Sequence, residues 1–153
     1  MKIYFATDHA GFELKEELVS FVRDELGLEV EDLGVKSLDP KDDYPDFIVS
    51  AARAISEAPE TARAIVLGGS GQGEAMVANR FPNVRATVWY GGTDEILRLS
   101  RQHNDANILS IGARFVDLET AREGVRKWLS TKFSGEERHI RRIKKIEEAL
   151  HTE

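Results

Sequence analysis

The stretch Ala64–Glu74, AIVLGGSGQGE, decides the fold. Its opening, Ala64–Leu67 (AIVL), is a continuous apolar run of the kind that fills a strand buried on both faces of a sheet. It runs directly into Gly68-Gly69-Ser70-Gly71-Gln72-Gly73, after which Glu74–Arg80 reads as helix. Buried strand, glycine turn and helix form the repeating unit of an α/β domain, and in such sheets ligands sit beyond the carboxyl ends of the strands.

Working outward, the same alternation continues in both directions. Lys2–Ala6 (KIYFA) is a short β-like run, closed by the polar Thr7-Asp8-His9. From Gly11 to Leu26, Leu14, Leu18, Phe21, Val22 and Leu26 recur at helical spacing, and Gly27 follows as a C-cap. Leu28–Leu33 reads as a second strand, Ser37–Pro45 as a loop, and the next helix ends near Glu57. Beyond the glycine run come a strand at Arg85–Tyr90 and a helix at Thr93–His103. A fifth strand at Asn107–Ile111 and a helix at Leu118–Leu129 follow. The last helix, Glu136–Leu150, places Ile140, Ile143, Ile146 and Leu150 on one face. Five rounds of strand and helix predict a three-layer αβα, Rossmann-like domain with a five-stranded parallel sheet and a C-terminal helix. No linker or repeat interrupts it, so residues 1–153 are expected to form one domain.

Composition excludes several kinds of chemistry. The chain has 153 residues and no cysteine, which removes disulfides, zinc–thiolate sites and thiol nucleophiles. A cysteine-free chain suits a reducing cytoplasm. The start, MKIYFATDHAG, turns polar too early for a secretory signal, and no apolar run approaches the length of a membrane span. The formal charge of −6 disfavours nucleic acids and anionic lipids as partners. A small anionic ligand could still be held by a local basic cluster.

The glycine run admits three readings. A dinucleotide fingerprint counted from Gly69 takes Gly71 but meets Glu74 where its last glycine belongs. A P-loop finds Gly68 and Gly73 at the right spacing, yet Glu74-Ala75 replaces the lysine and hydroxyl residue that hold phosphate and Mg²⁺. The third reading uses the backbone donors of Ser70–Gly73 as an oxyanion cradle, with Glu74 beside it as a base for a carbon-bound proton. Taken alone, Glu74 is more simply explained as an acid in the first turn of a helix, where the dipole favours it.

Three other features stand out. Arg138 and Arg142 share a helix face, extended by Arg141 and Lys145. That face could clamp a phosphate through guanidinium pairs, or simply be solvated and paired with Glu136, Glu137, Glu147 and Glu148. His103-Asn104 closes the fourth helix, where a histidine usually caps; imidazole is also suited to proton transfer at neutral pH. Arg114 follows the fifth strand, at the ligand-binding edge. His9, His139 and His151 show no local metal-ligand spacing, so no metal is expected.

Together, DHAGFELKE (Asp8–Glu16), DDYPDF (Asp42–Phe47), LGGSGQGEAMVANR (Leu67–Arg80), RQHNDANILSIGAR (Arg101–Arg114) and RHIRRIKKI (Arg138–Ile146) resemble the ribose/galactose isomerase family, in particular its ribose-5-phosphate isomerase B members. The resemblance spans nearly the whole chain. It implies interconversion of ribose 5-phosphate and ribulose 5-phosphate through a cis-enediolate, or the equivalent reaction of allose or galactose 6-phosphate. A non-catalytic sugar-phosphate sensor is the alternative from another class. By the resemblance, Asp8 and His9 contact sugar and phosphate, and Ser70, Gly71, Gln72 and Gly73 form the anion hole. His103 opens the furanose ring beside Asn104, and Arg114, Arg138 and Arg142 bind phosphate. It further implies no cofactor, and a homodimer or dimer of dimers with sites between subunits. Many members use a cysteine as base at the position of Gly69. Here the match is to the subgroup in which an acid just after the loop, Glu74, serves instead.

Overall fold

In the computed structural model, which describes residues 1–149, five parallel strands lie in the order β2-β1-β3-β5-β4. The strands are β1 (Lys2–Thr7), β2 (Glu29–Asp32), β3 (Ala62–Gly68), β4 (Ala86–Trp89) and β5 (Ile108–Gly112). The helices are α1 (Phe12–Ser20), α2 (Tyr44–Glu57), α3 (Gln72–Ala78), α4 (Glu95–Gln102), α5 (Leu118–Ser130) and α6 (Glu137–Glu148). The central strand β3 pairs with β1 from Ala62 to Leu67 and with β5 from Ala64 to Gly68. All of its residues but Arg63 are buried.

Alternation along β3 feeds two cores. Ile65 and Leu67 join Phe5, Leu18, Phe21, Leu97 and Trp128 beneath α1, α4 and α5. Ala64 and Val66 pack with Ile48, Ala52, Ile55 and Ala78 beneath α2 and α3. The smaller residues of the second face let those helices approach closely.

One sequence expectation changes, and one left open is answered. The helix expected from Gly11 to Leu26 is a short 3₁₀ turn at His9–Gly11, α1 proper, and a π-helical turn at Phe21–Glu25. The wide turn is closed by Leu26 N–H donating to the Phe21 carbonyl at 3.2 Å, and both Phe21 and Val22 are buried in it. The isoleucine stripe of α6 does not reach the core: Ile140 and Ile146 are each about half exposed. The residue that docks this helix is His139, which is 2% exposed. At the far end of α6, Glu147 accepts from Arg85 at 3.2 Å and from the Asn83 backbone at 3.0 Å. Leu150 and His151 lie outside the described residues.

Candidate active site

The carboxyl edge of the sheet gathers the ends of β1, β3 and β5. Thr7 ties the first two together, its hydroxyl donating to the Leu67 carbonyl at 2.9 Å. Asp8 is buried, and its Oδ1 accepts from the Ala10 backbone at 2.9 Å, which turns the chain into the short helical turn carrying His9.

After β3 the chain bends through Gly71, whose φ of 78° is costly for any side chain but glycine's. Helix α3 then begins at Gln72, two residues earlier than the sequence indicates, so Glu74 lies in its first turn rather than at its start. The loop is stitched to β5: Ala113 N–H donates to Gly68 O at 2.8 Å and Arg114 N–H to Gly69 O at 3.1 Å. The Ser110 hydroxyl donates to Gly71 O at 2.6 Å. Within the loop, Gln72 N–H donates to Ser70 Oγ at 3.3 Å, so the turn is held by its own contacts as well as by β5.

Glu74 is 4% exposed, and its carboxyl lies directly against Gly68, where any Cβ would collide with it. Burial pushes its pKa above the ordinary carboxylate value, and the negative charge of Asp8 adds to the rise. A Cβ on Gly69 would stand 3.2 Å from the Arg114 guanidinium, so glycine there leaves room for that cation. Asp8, His9, Ser70, Gly73, Glu74 and Arg114, with Tyr44, line one cleft of about 390 Å³.

Two residues at this edge escaped the sequence reading. Tyr44 packs its phenol on Gly73, whose absent Cβ would sit 2.5 Å from the hydroxyl. Asp42 places Oδ1 2.5 Å from His9 Nδ1. The signal for both was the DDYPDF segment, to which no role could be given because its loop folds back only in three dimensions. Asp8, His9 and Asp42 each bring one possible ligand atom within 4.8 Å of the others, a grouping that local spacing could not reveal. Because Asp42 already engages His9 Nδ1, the grouping is an acid–imidazole pair with Asp8 alongside.

The remaining predicted residues sit at the other end. His103 follows α4, ahead of β5, while Arg114 follows β5. The five-residue strand between them is about 16 Å long. One chain therefore does not bring His103 to Glu74. The His103 ring stacks on His139, with centroids 4.3 Å apart and planes 12° from parallel. Burial lowers the pKa of His139, and the nearby charges of His103, Arg138 and Arg142 add to this. Asn104 is exposed, and its carbonyl accepts from Arg85 at 3.1 Å. Arg138 is exposed and donates to Glu136 at 2.8 Å; Arg142 is exposed on the same helix.

The carboxyl edge of this doubly wound parallel sheet thus brings together a buried carboxylate, a tied-back backbone loop and a cation, the groups an acid–base site for an anionic ligand needs. Residues 3–146 match the ribose/galactose isomerase family, and the chain belongs to that family. It is 39% identical to ribose-5-phosphate isomerase B of Mycolicibacterium paratuberculosis over 144 residues, covering 94% of this chain and 87% of that protein. It is 39% identical to the Escherichia coli protein of the same name over 145 residues, 95% of this chain and 93% of the other. Among solved structures, the Mycoplasma genitalium ribose-5-phosphate isomerase B with bound ribulose 5-phosphate superposes with a TM-score of 0.92 at 33% identity. That match covers 99% of this chain and 97% of the other. The Clostridium thermocellum enzyme gives 0.91 at 40% identity, covering 99% and 98%.

Proposed function

We propose that the chain is an aldose–ketose isomerase that interconverts ribose 5-phosphate and ribulose 5-phosphate, with Glu74 moving the proton. The observation that carries the assignment of the base is the Glu74 carboxyl, buried against Gly68 in the cleft it shares with Asp8, His9 and Arg114. Arg114 and His9 from one subunit, and Arg138 and Arg142 from another, hold the phosphate. His103, with Asp8, assists ring opening by proton transfer, and Asn104 contacts the sugar. Glu74 takes the C2 proton of the open aldose, and the electron pair delocalises into a cis-enediolate. Backbone donors of Ser70, Gly71, Gln72 and Gly73 stabilise that charge. Glu74 then returns the proton at C1, giving the ketose. The substrate is rearranged with no net redox change, so the reaction as proposed consumes no oxidant or reductant, and its proton transfers are assigned to side chains alone.

The separation of His103 from Glu74 along one chain supports a homodimer, or a pair of dimers, in which the carboxyl edge of one copy meets α6 of another. The half-exposed Ile140 and Ile146 on α6 suit such a contact. Residues 1–153 act as one isomerase domain, and the cytoplasm is the proposed location, which a cysteine-free chain suits. Among the described residues no helix is long and apolar enough to cross a membrane.

The test incubates the purified protein with ribose, allose and galactose phosphates in EDTA, with no added cofactor. Ketose should form from ribose 5-phosphate in preference to the six-carbon substrates. Turnover of a hexose phosphate alone would move the assignment within the family, and no turnover at all would favour a sensor.

A further inference from the structure

Asp42 is a buried carboxylate that the proposed reaction does not use. Its side chain is 9% exposed, and Oδ2 has no hydrogen-bond partner among the described residues. Both hydrogen-bonding contacts of the Asp42 side chain among the described residues go to one residue. Oδ1 accepts from the His9 backbone N–H at 3.1 Å and lies 2.5 Å from His9 Nδ1. Asp42 is held there by a pinned loop: Lys15, fully buried, donates to Asp32 at 2.6 Å and to the Val35 carbonyl at 3.1 Å. Asp42 N–H closes the turn onto Asp39 O at 3.2 Å. His9 lines the reaction cleft, whereas Asp42 stands behind it.

We propose that Asp42 is a positioning residue that fixes the His9 ring and keeps it cationic, so that Nε2–H is presented to the phosphorylated end of the substrate. The inference rests on the reading of His9 as a substrate contact. A carboxylate on Nδ1 selects the orientation in which Nε2 is the nitrogen left for a ligand. A buried carboxylate whose contacts are both from His9 also favours the charged imidazolium. Other groups act on the same ring: Asp8 Oδ2 lies 3.9 Å from Nδ1, and Arg114 opposes the positive charge. The balance raises the His9 pKa above its ordinary value, chiefly through the Asp42 hydrogen bond. A phosphate monoester supplies the negative oxygens that such a donor recognises.

The experiment compares the full-length protein with its Asp42→Asn and His9→Ala variants, using ribose 5-phosphate as substrate from about pH 5.5 to 8.5, a range that spans imidazole titration. Asparagine keeps the shape and removes the charge. The KM of Asp42→Asn should match wild type near pH 5.5 and rise to roughly tenfold above it near pH 8, with kcat within about twofold. Taking the ratio to wild type at each pH removes the titration of the substrate itself. In NMR titrations the His9 midpoint should lie above about 6.5 in wild type and fall in the variant. A KM ratio that is flat with pH would overturn the role of Asp42, as would an unshifted His9 midpoint. If Asp42→Asn does not fold, a wild-type His9 midpoint at or below 6.5 overturns it on its own. A His9→Ala variant with unchanged KM would instead overturn the reading of His9. Weak binding by His9→Ala beside normal Asp42→Asn would remove only Asp42.

Discussion

The two ends of the sheet are built differently. At the carboxyl edge Asp8 and Glu74 are buried, the glycine loop is stitched to β5, and His9 is locked by Asp42. At the amino edge Asn104, Arg138 and Arg142 are exposed, and the ring beside them, His103, is held by stacking on His139. A buried charge must be fixed in advance, because an unsatisfied carboxylate in the interior is costly. An exposed arginine can wait for its phosphate. On the proposed function this contrast would divide the labour: one edge would carry preorganised proton chemistry, and the other would supply charge and a ring-opening acid to a neighbouring copy.

If the carboxyl edge holds the chemistry, the largest loss should follow from neutralising its base. Glu74→Gln keeps the shape and should cut kcat by about two to four orders of magnitude with little change in KM. Because burial raises the Glu74 pKa and the base must be ionised, wild-type kcat/KM should fall on acidification at a pH above the ordinary carboxylate range. Near-normal turnover in the variant would place the proton shuttle elsewhere.

The next largest effect should come from the support beneath it. Gly68→Ala would drive a methyl group into the Glu74 carboxyl and displace it. Misplacing a reacting group by an ångström costs on the order of a hundredfold, so kcat should drop by about that factor while the protein stays folded. Unchanged kcat would mean that the observed seat of Glu74 is not the working one.

A smaller change, and in binding rather than turnover, should mark the amino edge. Losing a charge-assisted phosphate contact costs about 1.5–3 kcal/mol, so Arg142→Ala should weaken a non-reactive phosphorylated analogue by roughly ten- to hundredfold. Arg141→Ala, outside the matched spacing, should do less. Equal and slight effects in both variants would make the arginine face of α6 a solvated surface.

The same contrast explains what was legible in the sequence. Buried strands and the glycine turn announce themselves locally, because AIVL and GGSGQG constrain a few consecutive residues. The alternation of elements therefore yields the parallel sheet directly. Helix ends were less visible: α3 starts at Gln72 because Gly71 adopts a left-handed turn, and the π turn after Ser20 leaves no mark in the apolar spacing. Glu74, Asp8, His9 and Arg114 could be placed by the rule that ligands lie beyond strand ends. Asp42 could not, since it meets His9 across 33 positions through a loop pinned by Lys15. The isoleucines of α6 share a face as their spacing requires, but spacing does not say whether that face meets the core or another chain.

If a working site takes Glu74 from one subunit and His103 from another, two defective variants should rescue each other when mixed, and that is the most direct test. Glu74→Gln and His103→Asn would be co-expressed in equal amounts and all of the resulting oligomers, homomeric and mixed, purified together. In a two-fold assembly, about one site in four then carries an intact carboxyl edge facing an intact amino edge. Recovery to roughly a quarter of wild-type turnover, well above either variant alone, is the predicted result. A mixture no more active than the average of its two parents would contradict the shared site.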